Sequence, residues 1–264
     1  MIKENISRNE YQLMKGINAS RLKYYYKSYT TGKLNDIKTI EETEAMKFGT
    51  AVHKMVLEQN DFWNEYRLLE TPINPKTGKA YNKGTKAVLS YIDGLDKRYK
   101  YITERELNEI NRIKENIVKN DVAISELTNA PKREIAITWT DEETGIDCKA
   151  LIDYLGEDYA GDLKTTKSIP YSDEQTLLAK WILSDFIRTR NLLQFAFYFD
   201  GLRANGIDMK YFSVILAQNN ENFDVAVCRL SEESLEIGRK MYRKALMNTE
   251  LRGNTYPYEE IITV

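Results

Sequence analysis

The chain has 264 residues, of which 42% are hydrophobic and 30% charged, the balance of an ordinary globular domain with enough apolar side chains for a sizeable core. The formal net charge of −2, with a sequence pI of about 5.8, excludes a protein that simply coats nucleic acid. Two cysteines, Cys148 and Cys228, with no CxxC pair, exclude a four-thiolate zinc or iron–sulfur site.

The first 130 residues read as mostly helical. The spacing predicts a helix from Ala19 to Tyr26 behind Asn18, and another over about Glu41 to Gln59, where Phe48, Val52 and Val56 recur every four residues. Further helices are expected over Ala80 to Lys97 and Thr103 to Leu127, the latter opened by a Thr103/Glu106 capping box. After Pro131 the texture changes. Glu134 to Thr140 alternates and is β-rich, Asp141 to Gly145 supplies a turn, and strands follow over Ile146 to Leu155 and Tyr159 to Lys164. These three are expected to form an antiparallel meander. Helices over Asp173 to Trp181 and Asp185 to Asn205, strands over Met209 to Ala217 and Asn222 to Arg229, and a last helix over Ser231 to Asn248 complete the pattern. The expected fold is α/β (α+β), one domain, with a mixed central sheet flanked by helices. Met1 to Glu10 has no apolar core segment and no run approaches membrane-spanning length, so the expected setting is a reducing cytoplasm with no membrane.

Asp153, followed nine residues later by Asp162-Leu163-Lys164, carries the chemistry. Residues two apart in a strand share a face, so Asp162 and Lys164 project together, and Asp153 faces them from the preceding strand. Two converging carboxylates repel unless a cation lies between them, and oxygen ligands favour Mg²⁺ or Mn²⁺ over zinc. A lysine beside such an ion can orient a water or stabilise charge on phosphorus. The same pattern also describes an exposed strand with a surface ion pair. Glu134 offers a further carboxylate, or is an exposed residue at a strand start. His53, the single histidine, lies on a helix one turn after Gly49, where a packed imidazole is the plainer explanation. Gln194 and Tyr198 share one helix face, which ordinary packing also explains.

In this order the residues resemble a known family, the nuclease domain of RecE-type phage exonucleases (exodeoxyribonuclease VIII), in the RecB-like branch of the PD-(D/E)XK superfamily. The likeness runs through Ile6-Ser7 with Tyr11, Phe48 to His53 and Val56 to Glu58. It continues with Trp139, Glu143 to Ile146 and Cys148, then Asp153, Asp162 to Thr166, and Gln194 with Phe197-Tyr198. It departs at Ala150 to Leu155, which is more apolar than the family's pattern. The resemblance implies that His53, Asp153, Asp162 and the Leu163 carbonyl hold the metal, that Lys164 acts on the nucleophilic water, and that Glu134 serves as an extra acid. It implies that Gln194 and Tyr198 support the site, with Thr165 and Thr166 within reach of a phosphate. Softer DNA-binding candidates are Lys76, Lys79 and Lys83, with Lys86, in an acid-free loop, and Arg21, Lys23 and Lys27 among Tyr24 to Tyr26. The implied activity is a Mg²⁺-dependent exonuclease acting 5′ to 3′ on double-stranded DNA ends. Its implied partners are a single-strand annealing protein and further copies of itself in a ring; the implied setting is a phage or prophage in a bacterial host. No P-loop is present, in keeping with independence from ATP. An endonuclease on the same core and a catalytically silent binding module are the alternatives.

Overall fold

The computed structural model describes residues 1–250 apart from 5, 7, 38–41, 83, 171–173 and 221, and apart from the side chains of 8 and 9. In chain order the N-terminal part holds β1 (Ile2–Lys3), α1 (Arg8–Leu13), α2 (Ala19–Tyr25), α3 (Tyr29–Ile37), α4 (Glu44–Leu57), α5 (Phe62–Glu65), β2 (Tyr66–Leu68), α6 (Lys86–Asp93), β3 (Lys100–Ile102), α7 (Glu104–Lys119) and α8 (Asp121–Asn129). Then follow β4 (Lys132–Thr140), β5 (Asp147–Leu155), β6 (Tyr159–Thr166), α9 (Gln175–Arg188), α10 (Asn191–Ala204), β7 (Tyr211–Gln218), β8 (Val225–Arg229) and α11 (Glu232–Glu250).

A six-stranded mixed sheet in the order β1-β4-β5-β6-β7-β8 forms the centre; β6 and β7 run parallel and the other neighbours antiparallel. Alternation along β7 shows how both faces are covered. Phe212, Val214 and Leu216 pack with α2, α9, α10 and α11, whereas Ile215 and Ala217 pack with α4, α5, α7 and α8. The α/β fold with a mixed sheet flanked by helices is therefore the one expected, and β4, β5 and β6 form the expected antiparallel meander.

Several helix ends follow from single side chains. Asn18 accepts the Arg21 N–H to start α2, Thr43 accepts the Met46 N–H to start α4, and Thr103 with Glu106 forms the full capping box of α7. The expected single helix over Thr103 to Leu127 is two. Asn120 adopts extended backbone and its side chain accepts the Ala123 N–H, so it ends α7 and caps α8 at once. The expected helix over Ala80 to Lys97 shrinks to α6, because Ala80 bridges to Ile73 in a small hairpin. The break expected between Trp181 and Asp185 falls instead at Thr189–Arg190. Ile182 and Phe186 continue one buried face of α9, and Arg190, at φ 59°, turns the chain into α10. The short α1, α3, β1, β2 and β3 carry no periodic signal long enough to be predicted. Glu41 and Asp173, where two predicted helices begin, lie outside the described residues.

Candidate metal centre

The site lies at a fork in the sheet. β5 and β6 pair only at Tyr154↔Gly161 and Leu155↔Ala160; beyond these the strands separate. Asp153 and Asp162 are the next residue on each side, so the fork itself places two carboxylates in the opening. Asp153 Oδ2 accepts the Leu163 N–H at 2.7 Å, a bond to backbone that the parted ladder leaves free. Both acids are buried, Asp162 to 1% exposure. Burial first, and then the charge of Asp162, pushes the Asp153 carboxyl up to about 6, while His53 and Lys164 pull the other way.

β4 contributes Glu134 from the opposite side of β5. Its neighbours pair regularly, Arg133 with Tyr154 and Ile135 with Ile152, which sets Glu134 across from Asp153. Glu134 lies inside the strand, not at its start, and holds φ 47°. A non-glycine residue in the left-handed region costs on the order of 1–2 kcal/mol, and such strain concentrates at functional sites. α4 supplies His53 across the other face of the sheet. Gly49, one turn earlier, lets the helix settle on β6, since a Cβ there would lie 3.2 Å from Thr165 Oγ1. His53 Nδ1 then stands 3.4 Å from Asp153 Oδ2. His53, Glu134 and Asp153 each offer a ligand atom, all within 4.8 Å of one another.

Asp162 is not one of that close trio. Its Oδ2 accepts Gln194 Nε2 at 3.0 Å, and Gln194 Nε2 also reaches the Tyr198 hydroxyl at 3.2 Å, so the Gln-xxx-Tyr pair of α10 forms one support beneath it. Its Oδ1 lies 2.5 Å from Lys164 Nζ, an ion-pair contact that lacks hydrogen-bond geometry. The ammonium offsets its charge but leaves that buried oxygen short of a hydrogen bond. That oxygen, the trio of ligand atoms and the raised carboxyl of Asp153 together fit a divalent cation. Three carboxylates with one imidazole suit Mg²⁺ or Mn²⁺. His53, Glu134, Asp153 and Asp162 would hold it.

The other candidates fall in different places. Thr165 lies under α4, and the Thr166 hydroxyl donates to the Ser168 carbonyl. Arg21 is engaged bidentately by Asp36, at 2.9 and 2.8 Å, bracing α2 on α3. Lys76 and Lys79 are exposed on the hairpin closed by Asn74 and Lys79, and Lys83 and Ser7 lie outside the described residues. Beside the trio opens a cleft of about 710 Å³, lined by His53, Glu134 and Arg133 and rimmed by Glu58, Asp61 and Glu65. No sequence signal marked Arg190 or Asn191, which meet Lys23 at the start of α10; only their spacing to Gln194 could have done so.

The match to protein families is decisive at the level of the family. Residues 19–251, most of the chain, match the model of the PDDEXK-like domain of unknown function (DUF3799). The chain belongs to this family. The PD-(D/E)XK superfamily expected from Asp153, Asp162 and Lys164 is thus the one found, while the narrower RecE-type branch is not what the PDDEXK-like model names. A crystal structure described as a "putative exonuclease" from Eubacterium rectale is similar, with a TM-score of 0.61 over 94% of this chain and 87% of that one. At 14% identity the likeness shows a shared fold. No curated protein matches the sequence. Among the described residues of this PDDEXK-like chain, no helix is long and apolar enough to cross a membrane.

Proposed function

We propose that the protein is a divalent-metal-dependent DNA exonuclease that degrades one strand of linear duplex DNA from its end, 5′ to 3′ and without ATP. The 3′ single strand it leaves would serve recombination through a single-strand annealing protein. The observation that carries this reading is the fork between β5 and β6, which gathers Asp153, Asp162 and Lys164 with His53 and Glu134. The ion, Mg²⁺ or Mn²⁺, would supply Lewis acidity toward a phosphodiester and its attacking water. Lys164 holds its ammonium at the open side of the fork, where it can orient that water and offset charge on phosphorus. Gln194 and Tyr198 keep Asp162 from rotating, and burial excludes bulk water from both aspartates. On this reading the strand enters from the side of Lys164 and Arg190. A homo-oligomeric ring with basic groups inside would reconcile the acidic chain with sustained contact to DNA. The proposed setting is the cytoplasm of a bacterial host of a phage or prophage.

The test is digestion of linear duplex labelled at the 5′ or the 3′ end, beside covalently closed circles, with Mg²⁺ and with a chelator. The expected result is Mg²⁺-dependent early release of the 5′ label, with circles intact. Cutting of circles would make the enzyme an endonuclease, and digestion undiminished in Asp162→Ala would remove the catalytic assignment.

A further inference from the structure

Of the three cations on and just after α2, one turns inward. Arg21 is held by Asp36 and Lys27 is exposed, but Lys23 Nζ lies 2.8 Å from Asn191 Oδ1 and 2.8 Å from Gln194 Oε1. Asn191 and Gln194 are three apart on α10, so one ammonium ties the first turn of that helix to α2. Gln194 in turn donates to Asp162.

A primary amide fits its cavity in two ways that differ by a half-turn, and its neighbours choose between them. An ammonium only donates and an ionised carboxylate only accepts. Oε1 toward Lys23 with Nε2 toward Asp162 satisfies both. The turned amide would set donor against donor at Lys23 and acceptor against acceptor at Asp162. Resting on the reading that Asp162 is a metal ligand, the geometry assigns Lys23 as a positioning residue: it fixes the orientation of Gln194, which fixes the carboxylate of Asp162 with Oδ1 turned to Lys164. Lys23 occupies this place at a cost. Burial, and then the nearby Lys164, push its ammonium down to about 7, with Arg190 adding to the effect and Asp162 opposing it.

The test uses the full chain with Lys23→Met, Lys23→Arg, Gln194→Ala and the double variant Lys23→Met/Gln194→Ala. Mn²⁺ binding is measured by calorimetry and paramagnetic resonance, and DNA digestion separately. Lys23→Met is expected to weaken Mn²⁺ binding and lower kcat by about ten-fold, the usual effect of losing a group that orients a ligand, with KM for DNA unchanged. Lys23→Arg should recover part of the loss. In the Gln194→Ala background, Lys23→Met should have no further effect, because the two act as one unit. Unchanged Mn²⁺ binding with a raised KM would overturn the assignment and make Lys23 a phosphate contact. Additive losses in the double variant would overturn it too, and this comparison stays readable if Lys23→Met alone is poorly folded. Mn²⁺ binding that depends on Lys23 in a protein that digests no DNA would uphold the assignment and remove the exonuclease reading instead.

Discussion

Asp153 shows how a residue suited to a metal is a burden without one. Its carboxyl is raised to about 6, above the ordinary value of 3.8, by burial and by Asp162. Below about pH 4 the group is neutral in both the folded and unfolded chain. As pH rises from there to about 6, the unfolded chain gives up its proton first, so folding stability falls; above about 6 the loss is complete, on the order of 1–3 kcal/mol. Asp153→Asn keeps an oxygen to accept the Leu163 N–H and cannot ionise. Without metal at pH 8, its Tm should exceed that of the wild type by roughly 2–8 °C, while Mn²⁺ binding is lost. A lower Tm in calorimetry would contradict this. At this scale the sequence was informative where chemistry is local: Asp153, Asp162 and Lys164 were legible from strand parity, because side chains two apart share a face. Glu134 was legible only as a strand-end acid, since nothing in the alternation of residues 134–140 marks a left-handed position. Lys23 was legible only as one basic residue among three.

At the scale of elements, the site is built by close approaches. α10 carries Gln194 and Tyr198, and α11 braces it from behind at Gly238. A Cβ there would fall 2.2 Å from the Leu192 carbonyl oxygen and 2.7 Å from the Ala196 methyl. A backbone carbonyl cannot step aside as a flexible side chain can. Gly238→Ala should therefore lower stability by about 1–3 kcal/mol in urea unfolding, despite alanine's better helix propensity. Unchanged stability would mean the two helices have slack that the fold does not show. Strong local signals such as the Thr103/Glu106 capping box were readable, and so were the strands of the meander. The break at Asn120 was not, because an asparagine inside an amphipathic pattern ends a helix only when its side chain caps the next one. Nor was the fork between β5 and β6: strand pairing that stops after two residues leaves no mark on alternation.

At the scale of the whole molecule, the net charge of −2 hides an uneven distribution. Glu58, Asp61 and Glu65 line the α4 cleft, with Lys54 paired to Glu58 and Glu65, whereas Lys23, Lys164 and Arg190 lie near one another by Asp162. On the proposed reading a chain so arranged would bind DNA weakly by itself, and the proposed ring would raise the local density of cations. Light scattering should then report a mass that is a multiple of 30.8 kDa, insensitive to dilution; a strict monomer at working concentration would rule out the ring. The central claim is more local: side chains from β4, β5, β6 and α4 close around one divalent cation. It is tested most directly by anomalous diffraction from crystals soaked in Mn²⁺. The account predicts a peak in the fork, about 2.0–2.4 Å from oxygens of Asp153 and Asp162 and joined by His53 and Glu134. A fork empty at saturating Mn²⁺, or a peak bound to Glu58, Asp61 and Glu65 alone, would contradict it.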